Sequence, residues 1–200
     1  MNLFNFELLQ TPFFYLPFHS AGWGGWLVLG LFLLLGARGI WGSSNFRRPF
    51  RWKIFLASLV LVPVAILLIE FRPTLLQSAA IPNLPLEMNR TGVLVFLAFP
   101  VFMAAGLAGV LPALLCGLIT GLFLGLFVTH DLFSIIEWGF LGLFIGVVLS
   151  QNYRTPFYML VRHPLGGAVI VWIAFLPIFL LITFFSIPGS LAERLDFTLV

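Results

Sequence analysis

The sequence predicts an all-α fold, a polytopic integral membrane bundle of about six transmembrane helices, and three observations carry that expectation. First, 61% of the 200 residues are hydrophobic and 8% are charged, against about 45–50% and about 25% in soluble domains. Second, the apolar residues form continuous blocks long enough to span, such as 92–109. A helix needs about 20 residues to cross about 30 Å of hydrocarbon, whereas a membrane barrel would alternate apolar and polar residues over roughly ten-residue segments. Third, the basic residues collect in two of the intervals between blocks. This composition excludes a soluble enzyme, a nucleic-acid-binding domain and a disordered tail. A single cysteine, Cys116, inside an apolar run excludes a disulfide scaffold.

Residues 1–22 are rich in Phe, carry Tyr15 and His19, and are broken by Pro12 and Pro17. They lack the basic start and clean apolar core of a signal peptide, and are expected at the membrane–water boundary or packed over the first helix. A six-span transmembrane domain is expected over 23–187. Span 1 (23–41) has Trp23, Trp26 and Trp41 at its ends as interfacial anchors. Span 2 (53–70) contains Pro63. The polar interval 71–90, with Pro73, Pro82 and Pro85, includes a short stretch, LLQSAAI, suited to a surface helix. Span 3 (91–109) contains Pro100, and the stretch from Gly109 to Pro112 marks a tight turn into span 4 (111–129). Span 5 (134–150), a polar stretch at 151–164 and span 6 (165–187, with Pro177) complete the set. Prolines within spans are tolerated as kinks where neighbours re-satisfy the freed carbonyls. Residues 188–200 form an outer C-terminal segment. The apolar run starting at Phe197 suggests either a chain cut short or an end tucked into the boundary.

Charge orients the bundle. Arg38 and the cluster Arg47, Arg48, Arg51 and Lys53 lie between spans 1 and 2, and Arg154 and Arg162 lie between spans 5 and 6. With six spans both intervals share one side, which the positive-inside rule makes cytoplasmic. Both termini are then outside, in a bacterial inner membrane. The seven acids, Glu7, Glu70, Glu87, Asp131, Glu137, Glu193 and Asp196, all fall on the outer side or its edge.

Small residues recur at helical spacing. Span 4 carries Gly117, Gly121 and Gly125, span 5 carries Gly142 and Gly146, and span 3 adds Ala104 with Ala108 and Ala105 with Gly109. Residues at i and i+4 share a face, and a glycine face lets two backbones approach closely in lipid. Spans 3, 4 and 5 are expected to form a tight central bundle; a backbone-lined cavity for a small ligand is the alternative.

The candidate ligand-binding or sensing residues are His130, Asp131 and Glu137, at the outer end of spans 4 and 5. They can hold a cation or change protonation with external pH. The competing reading is structural: Asp131 and Ser134 suit an N-cap, Ser134 with Glu137 forms a capping-box pattern, and Glu137 complements the helix dipole. Glu70, Arg72 and Arg90 are boundary charges reaching for water. The basic cluster sets orientation and can contact anionic head groups at about 1 kcal/mol per residue. No H-E-x-x-H, G-x-S-x-G or Walker loop is present, so no enzymatic activity, catalytic residue, metal or cofactor is expected. No acid lies in the middle of a span, which disfavours ion-coupled transport.

The run AGLAGVLPALLCGLITGLFLGLFVTHDLFSIIEWGFLGLFIGVVLSQNYR, within the region from Pro100 to Arg162, resembles the multi-helix membrane input regions of bacterial sensor proteins, and is similar to LytS-type five-span receptor modules. The shared features are a small-residue hairpin, a short polar outer loop, and a glycine-bearing helix ending in a basic cytoplasmic loop. The resemblance covers roughly a third of the chain and transfers no residue role. It implies a non-catalytic sensory domain that passes a signal to a cytoplasmic output module such as a GAF, PAS or kinase unit. Two other readings stand beside it: a small-molecule-binding transporter subunit similar to the S-components of energy-coupling-factor transporters, and a scaffold subunit similar to MreD. The expected partners are the lipid bilayer and an output module or partner membrane subunit, with a homodimer as a further arrangement. No nucleic acid is expected.

Overall fold

The computed structural model describes residues 14, 16–17, 20–42, 51–67, 70–71, 93–94, 96–150 and 163–186. Six helices account for most of them: α1 (Ser20–Gly42), α2 (Trp52–Leu67), α3 (Phe99–Ala108), α4 (Val110–Phe127), α5 (Phe133–Ser150) and α6 (Pro164–Ser186). Two short strands, β1 (Glu70–Phe71) and β2 (Val93–Leu94), pair antiparallel with Glu70 opposite Leu94 and Phe71 opposite Val93. Four helical stretches, Ser20–Ile40, Val110–Phe127, Phe133–Ser150 and Gly166–Ser186, are long and apolar enough to cross a membrane. The protein is a helical membrane bundle.

α4 and α5 meet through their glycines and are more than half buried, whereas α6 and the glycine-bearing α1 are apolar and mostly exposed. Leu27, Leu31, Leu34 and Leu35 of α1 and Val169, Trp172 and Ile173 of α6 face outwards. In water such a surface would be an aggregation hazard; in lipid it is the solvent-matched face. The core has two halves that share α4 and α5. One gathers Phe55 and Val62 of α2, Val101, Ala104 and Ala105 of α3, Ala113 and Cys116 of α4, and Ile145 of α5. The other gathers Leu29 and Leu33 of α1, Leu114 of α4, Phe133, Ile136 and Phe140 of α5, and Ile182 of α6.

The α4–α5 seam is built on backbone contact. A Cβ on Gly117 would strike the Trp138 carbonyl oxygen, one on Gly121 the Ser134 carbonyl oxygen, and one on Gly142 the Ala113 carbonyl oxygen. On Gly146 it would lie 2.9 Å from Val110 Cα. Gly125 is different: a Cβ there would meet the Phe14 ring at 2.5 Å and the Asp131 carbonyl at 2.8 Å, so it receives the N-terminal segment and the outer loop.

Two of the expected spans differ in extent. The sequence places the end of span 2 at residue 70, whereas α2 ends at Leu67, before Glu70 enters the strand pair. The sequence predicts one helix from 91 for span 3, but β2, a turn at Phe96–Ala98 and the ten-residue α3 lie in that stretch. The reasons are local and long-range together. Pro100 lacks an N–H and belongs in the first turn of a helix, and Val93 and Leu94 find a ladder partner at Glu70–Phe71. Ten residues rise about 15 Å, half of the hydrocarbon thickness. The expected turn from span 3 to span 4 narrows to Gly109 alone, at φ 106° and ψ −171°. This backbone favours glycine, and Pro112 falls in the first turn of α4. The surface-helix stretch LLQSAAI, Glu7, Tyr15, His19, Arg47, Arg48, Arg72, Glu87, Arg90, Arg154, Arg162 and residues 188–200 lie outside the described residues.

Candidate functional site

The outer polar residues sit where α4 hands over to α5. α4 closes by directing both the Val128 and Thr129 amides to the Leu124 carbonyl, at 2.8 and 2.9 Å. His130 then takes φ 54°, a left-handed conformation uncommon for a residue with a side chain. It is 8% exposed. Asp131 Oδ1 accepts the Phe133 amide at 3.0 Å, which satisfies an orphan donor at the start of α5. Thr129 Oγ1 and Ser134 Oγ share a 2.7 Å hydrogen bond, and the Asp131 amide points at Thr129 Oγ1 at 3.4 Å. From outside the hairpin, the Trp26 indole Nε1 of α1 donates to the Leu132 carbonyl at 3.3 Å.

The capping pattern read at Ser134 and Glu137 is therefore corrected. α5 begins at Phe133, so Ser134 is already inside the helix and turns its hydroxyl back to Thr129. The capping role belongs to Asp131. Burial pushes the Asp131 carboxyl above the ordinary carboxylate range, and the donated Phe133 amide pulls against that shift. Glu137 lies one turn further into α5, near enough to Asp131 for the two carboxyls to interact. Among the described residues no group of three or more His, Cys, Asp or Glu is arranged to hold a metal ion.

The inner basic residues separate. Lys53 is exposed at the start of α2, and Arg51 directs its guanidinium to the Leu107 carbonyl at 3.5 Å, the long limit for a hydrogen bond. That carbonyl is at the C-terminal end of α3, where a cation complements the helix dipole. Arg47 and Arg48 lie outside the described residues.

A second polar set lies inside the bundle, unread in the sequence. Ser58 of α2 and Thr120 of α4 are fully buried. Ser58 donates to the Ile54 carbonyl one turn back at 2.9 Å, as Thr183 does to Phe179. Thr120 Oγ1 does not find that bond; among the described residues it meets only the weak Cys116 thiol, one turn earlier. The available sequence signal is slight: Thr120 is the one hydroxyl residue in α4.

No family model, no curated protein and no solved structure matches the chain.

Proposed function

We propose that the chain is a non-enzymatic membrane input domain of a bacterial signalling protein, with the outer loop Thr129–Leu132 as its sensing element. One observation carries this reading: the loop is tied at once to three helices, through Leu124 on α4, Phe133 and Ser134 on α5, and Trp26 on α1. A stimulus that prefers one arrangement of His130, Asp131 and Glu137 would shift the packing of all three helices together. Coupling requires such a differential preference and nothing more. The output would pass to a cytoplasmic module or a partner subunit, in a heteromeric or homodimeric assembly.

The reading includes six crossings in an inner membrane with both ends outside. Two sets of contacts support a consistent up-and-down order. Trp26 meets Leu132, Gly25 meets Phe185 and Gly125 meets Phe14 at one end. Arg51 meets Leu107 and Gly146 meets Val110 at the other. The second end carries the basic residues and would be cytoplasmic. The test is to substitute His130, Asp131 and Glu137 while recording the output of the complete protein; an unchanged response removes the loop from the mechanism. A small-molecule-binding transporter subunit is the second reading. It is favoured by the interruption of the third span before α3, because substrate sites in membrane carriers form at discontinuous helices.

A further inference from the structure

We propose that the outward face of α6 is a homodimer interface, in which the Trp172 indole N–H of each copy donates to the Ile173 carbonyl of the other across a two-fold axis normal to the membrane. The proposal rests on the reading that α6 crosses the bilayer and not on the sensing role of the outer loop.

A donor and an acceptor are left open at one depth of α6. Trp172 is 64% exposed and makes no hydrogen bond among the described residues. It lies six residues in from Gly166, where the stretch long and apolar enough to cross begins, about 9 Å along the helix. Trp26 lies six residues in from Ser20 on α1, and there its indole finds the Leu132 carbonyl. A tryptophan at the end of a span keeps its N–H in the wet boundary; deeper in hydrocarbon the acceptor has to come from protein. The residue after Trp172 supplies one. Pro177 has no N–H, so the helical bond from one turn on to the Ile173 carbonyl cannot form. Membrane helices tolerate such prolines because neighbours re-satisfy the freed carbonyl. Pro63 of α2 fits that rule: it is half-buried, and Leu59, whose carbonyl it frees, packs against the core. Ile173 and Pro177 are both exposed, so among the described residues no neighbouring helix packs there.

The two groups are placed for a second copy. α6 packs on α5 and α1 through one side, where Gly167, Val171 and Ile182 are buried. At about 100° per residue, Val169 and Leu176 lie on the opposite side, and both are exposed. Trp172 falls on one flank of that line and Ile173 on the other. Copies of one chain cross a membrane with the same sidedness, so equivalent residues share a depth. A two-fold pair of parallel helices sets opposite flanks against each other, as g and e positions meet in a parallel coiled coil. The donor of each copy then faces the acceptor of the other, and a single contact satisfies all four groups. A different membrane protein would have to bring both a donor and an acceptor of its own to this level.

The full chain in a cysteine-free background is reconstituted in lipid vesicles, and dimerisation is read in two ways. Oxidation with copper phenanthroline should link Val169→Cys or Leu176→Cys into a disulfide dimer at high lipid dilution. Leu31→Cys, as exposed on α1 as Val169 is on α6, should stay monomeric. Energy transfer between copies labelled at Met88→Cys gives the dissociation constant as lipid is added. Trp172→Phe removes the donor and keeps a ring, and Pro177→Ala returns an amide to the Ile173 carbonyl. Each abolishes the same two hydrogen bonds, so each should weaken the dimer about tenfold, and the double variant no further. Monomers at every dilution, Leu31→Cys cross-linking as strong as that of Leu176→Cys, or a Trp172→Phe dimer as tight as wild type overturns the proposal. Modification of Leu176→Cys by an impermeant thiol reagent would place α6 in water and overturn the crossing as well. A monomer whose Leu176→Cys is protected overturns the dimer alone.

Discussion

Asp131 meets two opposed demands. Its Oδ1 caps α5 through the Phe133 amide, while burial raises its pKa. A raised folded-state pKa means the native protein binds the proton more tightly than the unfolded chain. This residue's contribution is therefore fully present below the ordinary aspartate value and is lost as pH rises through the raised one. Asp131→Asn keeps an acceptor and removes the charge. It should match wild type at low pH and melt at or above it at neutral pH, in detergent melts run across pH. Asp131→Ala loses the cap and should cost about 1 kcal/mol at low pH, and less at neutral pH, where it also removes the buried charge. Trp26→Phe removes the donor to Leu132 and keeps the ring; a loss of about 1 kcal/mol is expected, read as a lower melting temperature. The sequence made these acids visible but assigned the cap to Ser134 as well as Asp131, because the start of α5 is fixed by the turn at His130 and not by residue type.

At the scale of the element, the α4–α5 hairpin is the rigid unit. Gly121→Ala places a methyl against the Ser134 carbonyl and Ile135 Cα. Backbone cannot rotate aside, so the helices must part, at about 1–3 kcal/mol. Gly121→Leu should be worse. Gly106→Ala is the control: a Cβ there meets nothing within 4 Å, and replacing glycine inside a helix should be neutral or stabilising by roughly 0.5–1 kcal/mol. Thermal melts of these variants in one detergent test the seam; equal losses at 106 and 121 would show that close approach is not what the glycines supply. The four-residue spacing displays this seam in the sequence because it belongs to single helices. The interruption of the third span is hidden for the converse reason. Val93–Leu94 leaves the helix to pair with Glu70–Phe71, and no hydropathy window registers a partner more than 20 residues away.

For the molecule as a whole, sidedness is the testable quantity. In a cysteine-free background, an impermeant thiol reagent added to intact cells should label Met88→Cys and leave Asn45→Cys and Thr155→Cys unmodified. The reverse pattern would invert the bundle and put the outer loop in the cytoplasm. The sequence by itself determined the solvent: a chain with this little charge must bury its peptide groups in helices and turn its apolar side chains to lipid. It also displayed the α4–α5 seam, because glycine at four-residue spacing permits a backbone contact that leucine and phenylalanine forbid. Only the tertiary structure decided where the third span breaks and that the Trp26 indole of α1 reaches the Leu132 carbonyl. Each of those depends on the position of a group distant in the chain, and distance along a sequence carries no energy until packing brings the groups together.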